Sequence, residues 1–248
     1  MPVDVSIIIP AYNEANRIER ALKPTIEFLK QKDFTSEIIV VSDGSEDLTI
    51  RAAEACKDDY NYLSVIDYQQ NRGKGYAVKT GMQAAKGTYR LFMDADYAVP
   101  IEYLDIFLNK IKSGYDIVIG SREHKNSAII KRQSFIRERL AKLFNVLQRI
   151  VLGLPIKDTQ CGFKLFTASA AEKLFNTITL NCAYFDAELL YIAKLYNMKI
   201  SENEVEWTHD YETRLPISFF RTFDLVYKLF KIRFSKRKYY ELEKNNTY

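Results

Sequence analysis

The sequence predicts an α/β protein: a mostly parallel central sheet flanked by helices, with amphipathic helices toward the C-terminus. Three observations predict it. Short β-branched runs alternate with helical patterns through the first half of the chain. Polar clusters follow successive apolar runs, at the strand ends where parallel sheets bind ligands. No stretch of about 18 uninterrupted apolar residues occurs, so no helix is expected to span a membrane.

The elements follow in order. Residues 3–9 form a β-branched run, and residues 13–30 carry helical spacing through Ile18, Ala21, Leu22, Ile26 and Leu29. Strands are predicted at 37–41, 60–67, 89–93 and 115–119, and helices at 47–56, 73–85 and 100–112. Pro100 suits the first turn of the last of these helices. The second half loses this alternation. A basic, apolar segment covers 129–152, a strand is expected at 162–166, a helix at 185–196 and a strand at 199–207. Pro216 opens the last segment. The simplest organisation is one catalytic unit over 1–213 and a basic, aromatic tail over 214–248.

Composition narrows the function classes. With 47% hydrophobic and 27% charged residues, the 248-residue chain reads as globular. A net charge of +4 is too small to argue for nucleic acid. Three widely spaced cysteines (Cys56, Cys161, Cys182) fit a reducing compartment and no thiolate metal cluster. Cys161 reads as a small buried hydrophobe. No signal peptide is read at the N-terminus, where Asp4 interrupts any apolar run.

The most informative motif is Asp94-Ala95-Asp96, directly after the apolar run 91–93. Residues i and i+2 of a strand point to the same side. Hard carboxylate oxygens suit Mg²⁺ or Mn²⁺, and Mg²⁺ is commonly held by one or two carboxylates plus substrate phosphates. The competing reading is a solvated acidic turn. Polar clusters also sit at 12–14, 43–45, 71–74 and 121–122, and five such clusters at successive strand ends point to one shared site. There is no G-x-G-x-x-G, and Gly73-Lys74-Gly75 lacks the remainder of a phosphate loop.

The ordered set Pro10–Glu14, Ser42–Asp47, Asn71–Gly75 and Asp94–Asp96 resembles the family 2 inverting glycosyltransferases of the GT-A fold. Gly120–His124, Ser134–Arg137, Asp158–Lys164, Phe185–Leu190 and Glu204–Trp207 further resemble its dolichyl-phosphate β-glucosyltransferase branch. The resemblance covers about residues 3–232. It implies that Pro10, Tyr12, Glu14 and Asp43 hold the nucleoside and Lys74 approaches the diphosphate. Asp94 and Asp96 would carry Mg²⁺ or Mn²⁺, with Ala95 between them in the same nucleotide-sugar site. Ala98 stands where mannosyl-lipid relatives carry glutamine, which again resembles the glucosyl branch.

The resemblance places the acceptor phosphate on Arg122 and Arg137, with Ser134 retained. Gln133 stands where arginine is expected, and Arg132 can substitute. Arg214 occupies a place usually held by lysine and would close over the diphosphate. The alternative for these arginines is a solvated surface. Asp96, Arg122 and Asp158 form the expected catalytic set. A carboxylate near 158 is a general base where the acceptor is a saccharide. A lipid phosphate, with a second pKa of about 6, is already ionised and needs little base, so positioning is the other role for Asp158. His124 and His209 are read as structural.

Between Arg214 and Tyr240 lie eight Lys/Arg, one acid and eight aromatics. Phe220, Phe223, Tyr227, Phe230 and Phe234 form one helical stripe. This pattern suits a helix lying on anionic lipid, or one docked on the protein's own core. The segment 129–152 repeats it.

The expected activity is therefore transfer of a hexose, glucose from UDP-glucose foremost, to a polyprenyl or dolichyl phosphate. The enzyme is expected to sit on the cytoplasmic face of a membrane. The alternatives are a GDP-mannose transferase, a saccharide acceptor, and a non-catalytic nucleotide-sugar or membrane-binding module.

Overall fold

The computed structural model describes residues 2–123, 129–131, 145–208 and 219–245. Its chain order is β1 (Val5–Ala11), α1 (Ile18–Lys30), β2 (Ser36–Asp43), α2 (Thr49–Ala55), β3 (Leu63–Tyr68), α3 (Lys74–Ala84), β4 (Tyr89–Met93), α4 (Tyr103–Lys112) and β5 (Ile117–Ser121). There follow β6 (Ile129–Lys131), the described part of α5 (145–152), β7 (Phe163–Thr167), α6 (Ala168–Thr177) and α7 (Phe185–Leu195). β8 (Ile200–Glu204), β9 (Trp207–Thr208), α8 (Phe219–Phe234) and α9 (Lys236–Asn245) complete it.

Seven strands form one sheet in the order β3-β2-β1-β4-β7-β5-β8. All pairs are parallel except those of β7, which runs antiparallel to both β4 and β5. β6 pairs with β9 separately. The mostly parallel α/β sheet expected from the sequence is the observed architecture.

Strand alternation divides the core in two. Ile8, Phe92, Ile117, Ile119 and Phe166 face one side, against α3, α6, α7, α8 and α9. Ile7, Ile9, Leu91, Val118 and Leu165 face the other, against α1 and α4. The predicted helix at 13–30 begins only at Ile18, because Asn13 sits at φ 54 and the intervening residues form a turn. The expected strand at 199–207 breaks after Glu204 and resumes in β9. Helix α6 carries no sequence prediction, although Thr167 caps it by accepting from the Ala170 amide.

The segment 214–248 holds α8 and α9. Leu229, Ile232 and Tyr239 pack into the same core side as α7. The aromatic stripe is not the buried face: Tyr227, Phe230 and Phe234 are 66%, 45% and 80% exposed. Among the described residues no helix is long and apolar enough to cross a membrane.

Candidate active site

The C-terminal ends of β1, β2, β4 and β5 share one edge. Because β7 is antiparallel, its starting residue Phe163 pairs with Met93 at the end of β4. The loop 158–162 thus enters the same edge, next to Asp94. The amide of Asp94 donates to the Gly162 carbonyl at 3.0 Å. A Cβ at position 162 would lie 2.0 Å from Asp94 Oδ2, so only glycine leaves room for that carboxylate. Tyr97, at φ 53, turns the chain, and Asp96 Oδ1 accepts from the Ala98 amide at 3.1 Å.

Burial, and then the neighbouring Asp94 charge, pushes the Asp96 carboxyl up to about 6. Two crowded hard-oxygen acids are a donor set that fits a divalent cation completing its shell with diphosphate and water. Among the described residues no third acid, His or Cys joins them. Lys74 Nζ lies 2.7 Å from Asp94 Oδ1. Lys74 opens α3 directly after Gly73 at φ 99, where the helix dipole disfavours a cation. Burial also works against its charge, but Asp94 and Asp186 outweigh that and hold the ammonium above its ordinary range.

The two carboxylates read as nucleoside ligands are both engaged by protein donors. Asp43, 3% exposed, accepts from Tyr68 Oη and from the Arg72 and Gly73 amides, all at 2.8 Å. It shapes the loop that delivers Lys74, as a buried carboxylate must find donors. Only its remaining lone-pair capacity is open to a nucleoside. Glu14 is paired with Arg17, whose Nη2 lies 2.6 Å from Oε1. Pro10 lies within β1, paired in register with Val41. Tyr12 beyond it is 41% exposed. Asn13 and Ala15 donate backbone amides to Ser45 Oγ at 3.1 Å and Asp47 Oδ2 at 3.2 Å, which joins the loops after β1 and β2 into one wall.

On the other side of β7, Arg122 follows β5. Its Nε and Nη2 donate to Asp158 at 2.7 and 2.9 Å, and its amide donates to Oδ2 at 3.0 Å. Asp158 is fully buried, and its Oδ1 also accepts from the Gln160 amide at 3.1 Å. Burial alone would raise this carboxyl, but the Arg122 charge and hydrogen bonds outweigh it and hold it below the usual range. A group so occupied is a poor proton acceptor. Asp158, expected in the catalytic set, stands here as the buried anchor of Arg122, the geometry of a positioning role. Among the described residues, two of the five Arg122 guanidinium N–H groups go to Asp158, and its Cζ lies 5.3 Å from the Trp207 ring centroid.

Asp94, Ala95, Asp96, Lys74, Asp43, Arg122 and Asp158 are thus brought to one edge. Arg132, Ser134, Arg137 and Arg214, with His124 and His209, lie outside the described residues. Sequence reasoning gave no role to Lys164 and Asp186. Lys164 Nζ lies 2.6 Å from Asp186 Oδ1, both residues being buried, and it also donates to the Cys161 carbonyl. The signal was charge inside two apolar runs: Lys164 within Phe163–Phe166, and Asp186 with Glu188 within Phe185–Leu190. Burial pushes the Asp186 carboxyl up, against the pull of Lys164. Glu188 likewise ties the 179–180 backbone to Tyr239 of α9. That stretch leads to Asn181, whose carbonyl accepts from the Gly75 amide in α3. Cys161 is buried, and burial pushes its thiol up to about 12.

The pattern described as Glycosyl transferase family 2 matches residues 6–175. The chain is 40% identical over 219 residues to a dolichyl-phosphate beta-glucosyltransferase of Drosophila melanogaster, covering 83% of this chain and 67% of that protein. It is 36% identical over 248 residues to one of Dictyostelium discoideum, covering 94% and 76%. Among solved structures, glucosyl-3-phosphoglycerate synthase of Mycobacterium tuberculosis, in complex with Mn²⁺, UDP and glucosyl-3-phosphoglycerate, superposes with a TM-score of 0.67. It is 18% identical, with 94% of this chain and 80% of that chain covered, a likeness of fold.

Proposed function

The chain belongs to glycosyl transferase family 2, in the group of the dolichyl-phosphate β-glucosyltransferases, and on that premise we propose that it transfers glucose from UDP-glucose to a polyprenyl or dolichyl phosphate with inversion. The observation that supports this reading is that two ion pairs, Lys74–Asp94 and Arg122–Asp158, lie along one sheet edge. The acidic pair with Lys74 suits a metal–diphosphate, and the buried Asp158 presents Arg122 toward a second phosphate.

A guanidinium fork matches phosphate oxygens. The ionised acceptor oxygen attacks the anomeric carbon in line, the bond to the UDP oxygen breaks, and a β-linked lipid phosphate sugar results. No proton has to leave the acceptor, in keeping with a site whose best-placed carboxylate is engaged by Arg122. A divalent cation on Asp94 and Asp96 would supply positive charge to the departing diphosphate. Lys74 adds a point charge on the same side. Pro10, Tyr12 and the loop held by Asp43 would line the nucleoside.

The test is a transfer assay with radiolabelled UDP-glucose, UDP-galactose and GDP-mannose, a short polyprenyl phosphate, and Mg²⁺ or Mn²⁺. Labelled lipid is expected with UDP-glucose. Label appearing only from GDP-mannose would reassign the donor. No labelled lipid with any donor would sink the proposal.

Attachment to the cytoplasmic face of a membrane belongs to the same proposal. It is supported by the outward aromatic face of α8 and the exposed Lys231, Arg233, Lys236, Arg237 and Lys238 beside it. Basic residues with an exposed aromatic stripe suit an interfacial helix. Phe230→Asp with Phe234→Asp is expected to weaken co-sedimentation with anionic vesicles about ten-fold or more, with the melting temperature unchanged. Undiminished co-sedimentation would remove α8 from the membrane-contact reading.

A further inference from the structure

We propose that Gln160 is a specificity-determining residue, whose side-chain amide hydrogen-bonds a hydroxyl of the transferred sugar. The inference rests on the donor and acceptor sides assigned above. In an in-line displacement the anomeric carbon lies between the leaving diphosphate and the incoming phosphate oxygen. The sugar ring therefore spans the gap between Asp94 and Arg122. The loop 158–162 spans the same gap. One end, Asp158, holds Arg122, and the other, Gly162, accepts from the Asp94 amide. Gln160 is the middle residue.

The remainder of this loop is committed to protein. Asp158 is bound by Arg122, and its amide donates to Glu202 at 2.9 Å. The Thr159 hydroxyl donates to Gln148, and Lys164 holds the Cys161 carbonyl. The Gln160 amide donates to Asp158 at 3.1 Å. Its side-chain Nε2, by contrast, is buried with no hydrogen-bond partner among the described residues. Gln148 Nε2 is unpaired as well, but Gln148 is fully buried behind Thr159, whereas Gln160 is part-exposed. An amide donor withdrawn from water without a partner is costly. Such an orphan is expected where a ligand supplies the partner, and a carboxamide both donates to and accepts from a sugar hydroxyl.

The experiment measures binding and therefore does not depend on turnover. Dissociation constants of UDP, of UDP-glucose and of its 2-, 3-, 4- and 6-deoxy analogues are determined by calorimetry with Mn²⁺. They are compared between the parent and Gln160→Met, which keeps length and removes the amide. The parent is expected to bind UDP-glucose more tightly than UDP. Gln160→Met is expected to lose ten-fold or more of that sugar-dependent gain while binding UDP within two-fold of the parent. One deoxy analogue is expected to bind both proteins alike, which identifies the hydroxyl read. Equal losses for UDP and UDP-glucose would overturn the proposal, because the amide would then serve the loop. No loss, or equal penalties for every deoxy analogue in both proteins, would overturn it too. Absence of lipid product in the parent's transfer assay would count against the acceptor reading instead. Gln160→Leu, examined alongside by thermal melting, guards against a fault of the methionine variant alone.

Discussion

Gly162→Ala is expected to lower kcat/KM about a hundred-fold or more, the scale of loss that follows an ångström-sized misplacement of reacting groups. The added methyl would stand 2.0 Å from Asp94 Oδ2 and 2.2 Å from Cγ. No real Cβ approaches another atom that closely, so the carboxylate must turn away. Turning it breaks the 2.7 Å pair with Lys74 and separates Asp94 from Asp96, the proposed joint ligands of the cation. β7 cannot yield instead without disturbing its antiparallel register with β4 and β5. Mn²⁺-dependent UDP binding should weaken in parallel. Asp94→Asn provides the control: if the glycine acts through Asp94, the double variant loses no more than the worse single one. Activity of Gly162→Ala close to that of the parent would show that Asp94 is not held where catalysis needs it.

Asp158→Asn is expected to cost about 3 kcal/mol of folding stability, since removing one partner of a buried ion pair leaves the other uncompensated. The acceptor KM should rise as Arg122 loses its anchor. A general base would behave differently, with turnover abolished and the acidic limb of the pH–rate profile gone. The sign of the pH dependence separates the cases further. The Asp158 carboxyl titrates below its ordinary 3.8 in the folded protein. Its stabilisation is therefore complete above about pH 4 and disappears as pH falls through the lower folded value. Denaturation midpoints of parent and variant should differ most at pH 7 and draw together as pH falls below about 4. A constant gap across that range would mean that the stability loss does not come from the carboxylate charge.

Much of this molecule was legible because its sheet is built from local signals. β4 spans Tyr89–Met93 as expected, its apolar run Leu91–Met93 closed by an acidic pair. The strand-end clusters announced one site because parallel strands deliver their loops to one edge. Contacts between distant segments were not legible. That Asp43 would spend its carboxylate on Tyr68 and two loop amides depends on how β3 meets the loop after it. Lys164 and Asp186, 22 residues apart, each look like an interruption in an apolar run until strand and helix are packed together. In α8 the period of the aromatic stripe was right. Periodicity does not say which of two apolar faces turns inward, however, and Leu229 and Ile232 took the core.

The single reversed strand also sets an order on folding. Among the described residues β1 pairs with β2 and β4, and β2 with β3, so half the sheet is complete once Met93 has been synthesised. Among the described residues β5 finds its partners in β7 and β8. It must wait for residues more than forty positions downstream, and contacts of such sequence separation form slowly. The nascent chain thus carries its acidic pair before it has any means of holding Arg122 in register with it. Insertion of β7 closes the sheet and assembles the two halves of the active site in one event, so an incomplete chain holds neither a sealed core nor a working enzyme.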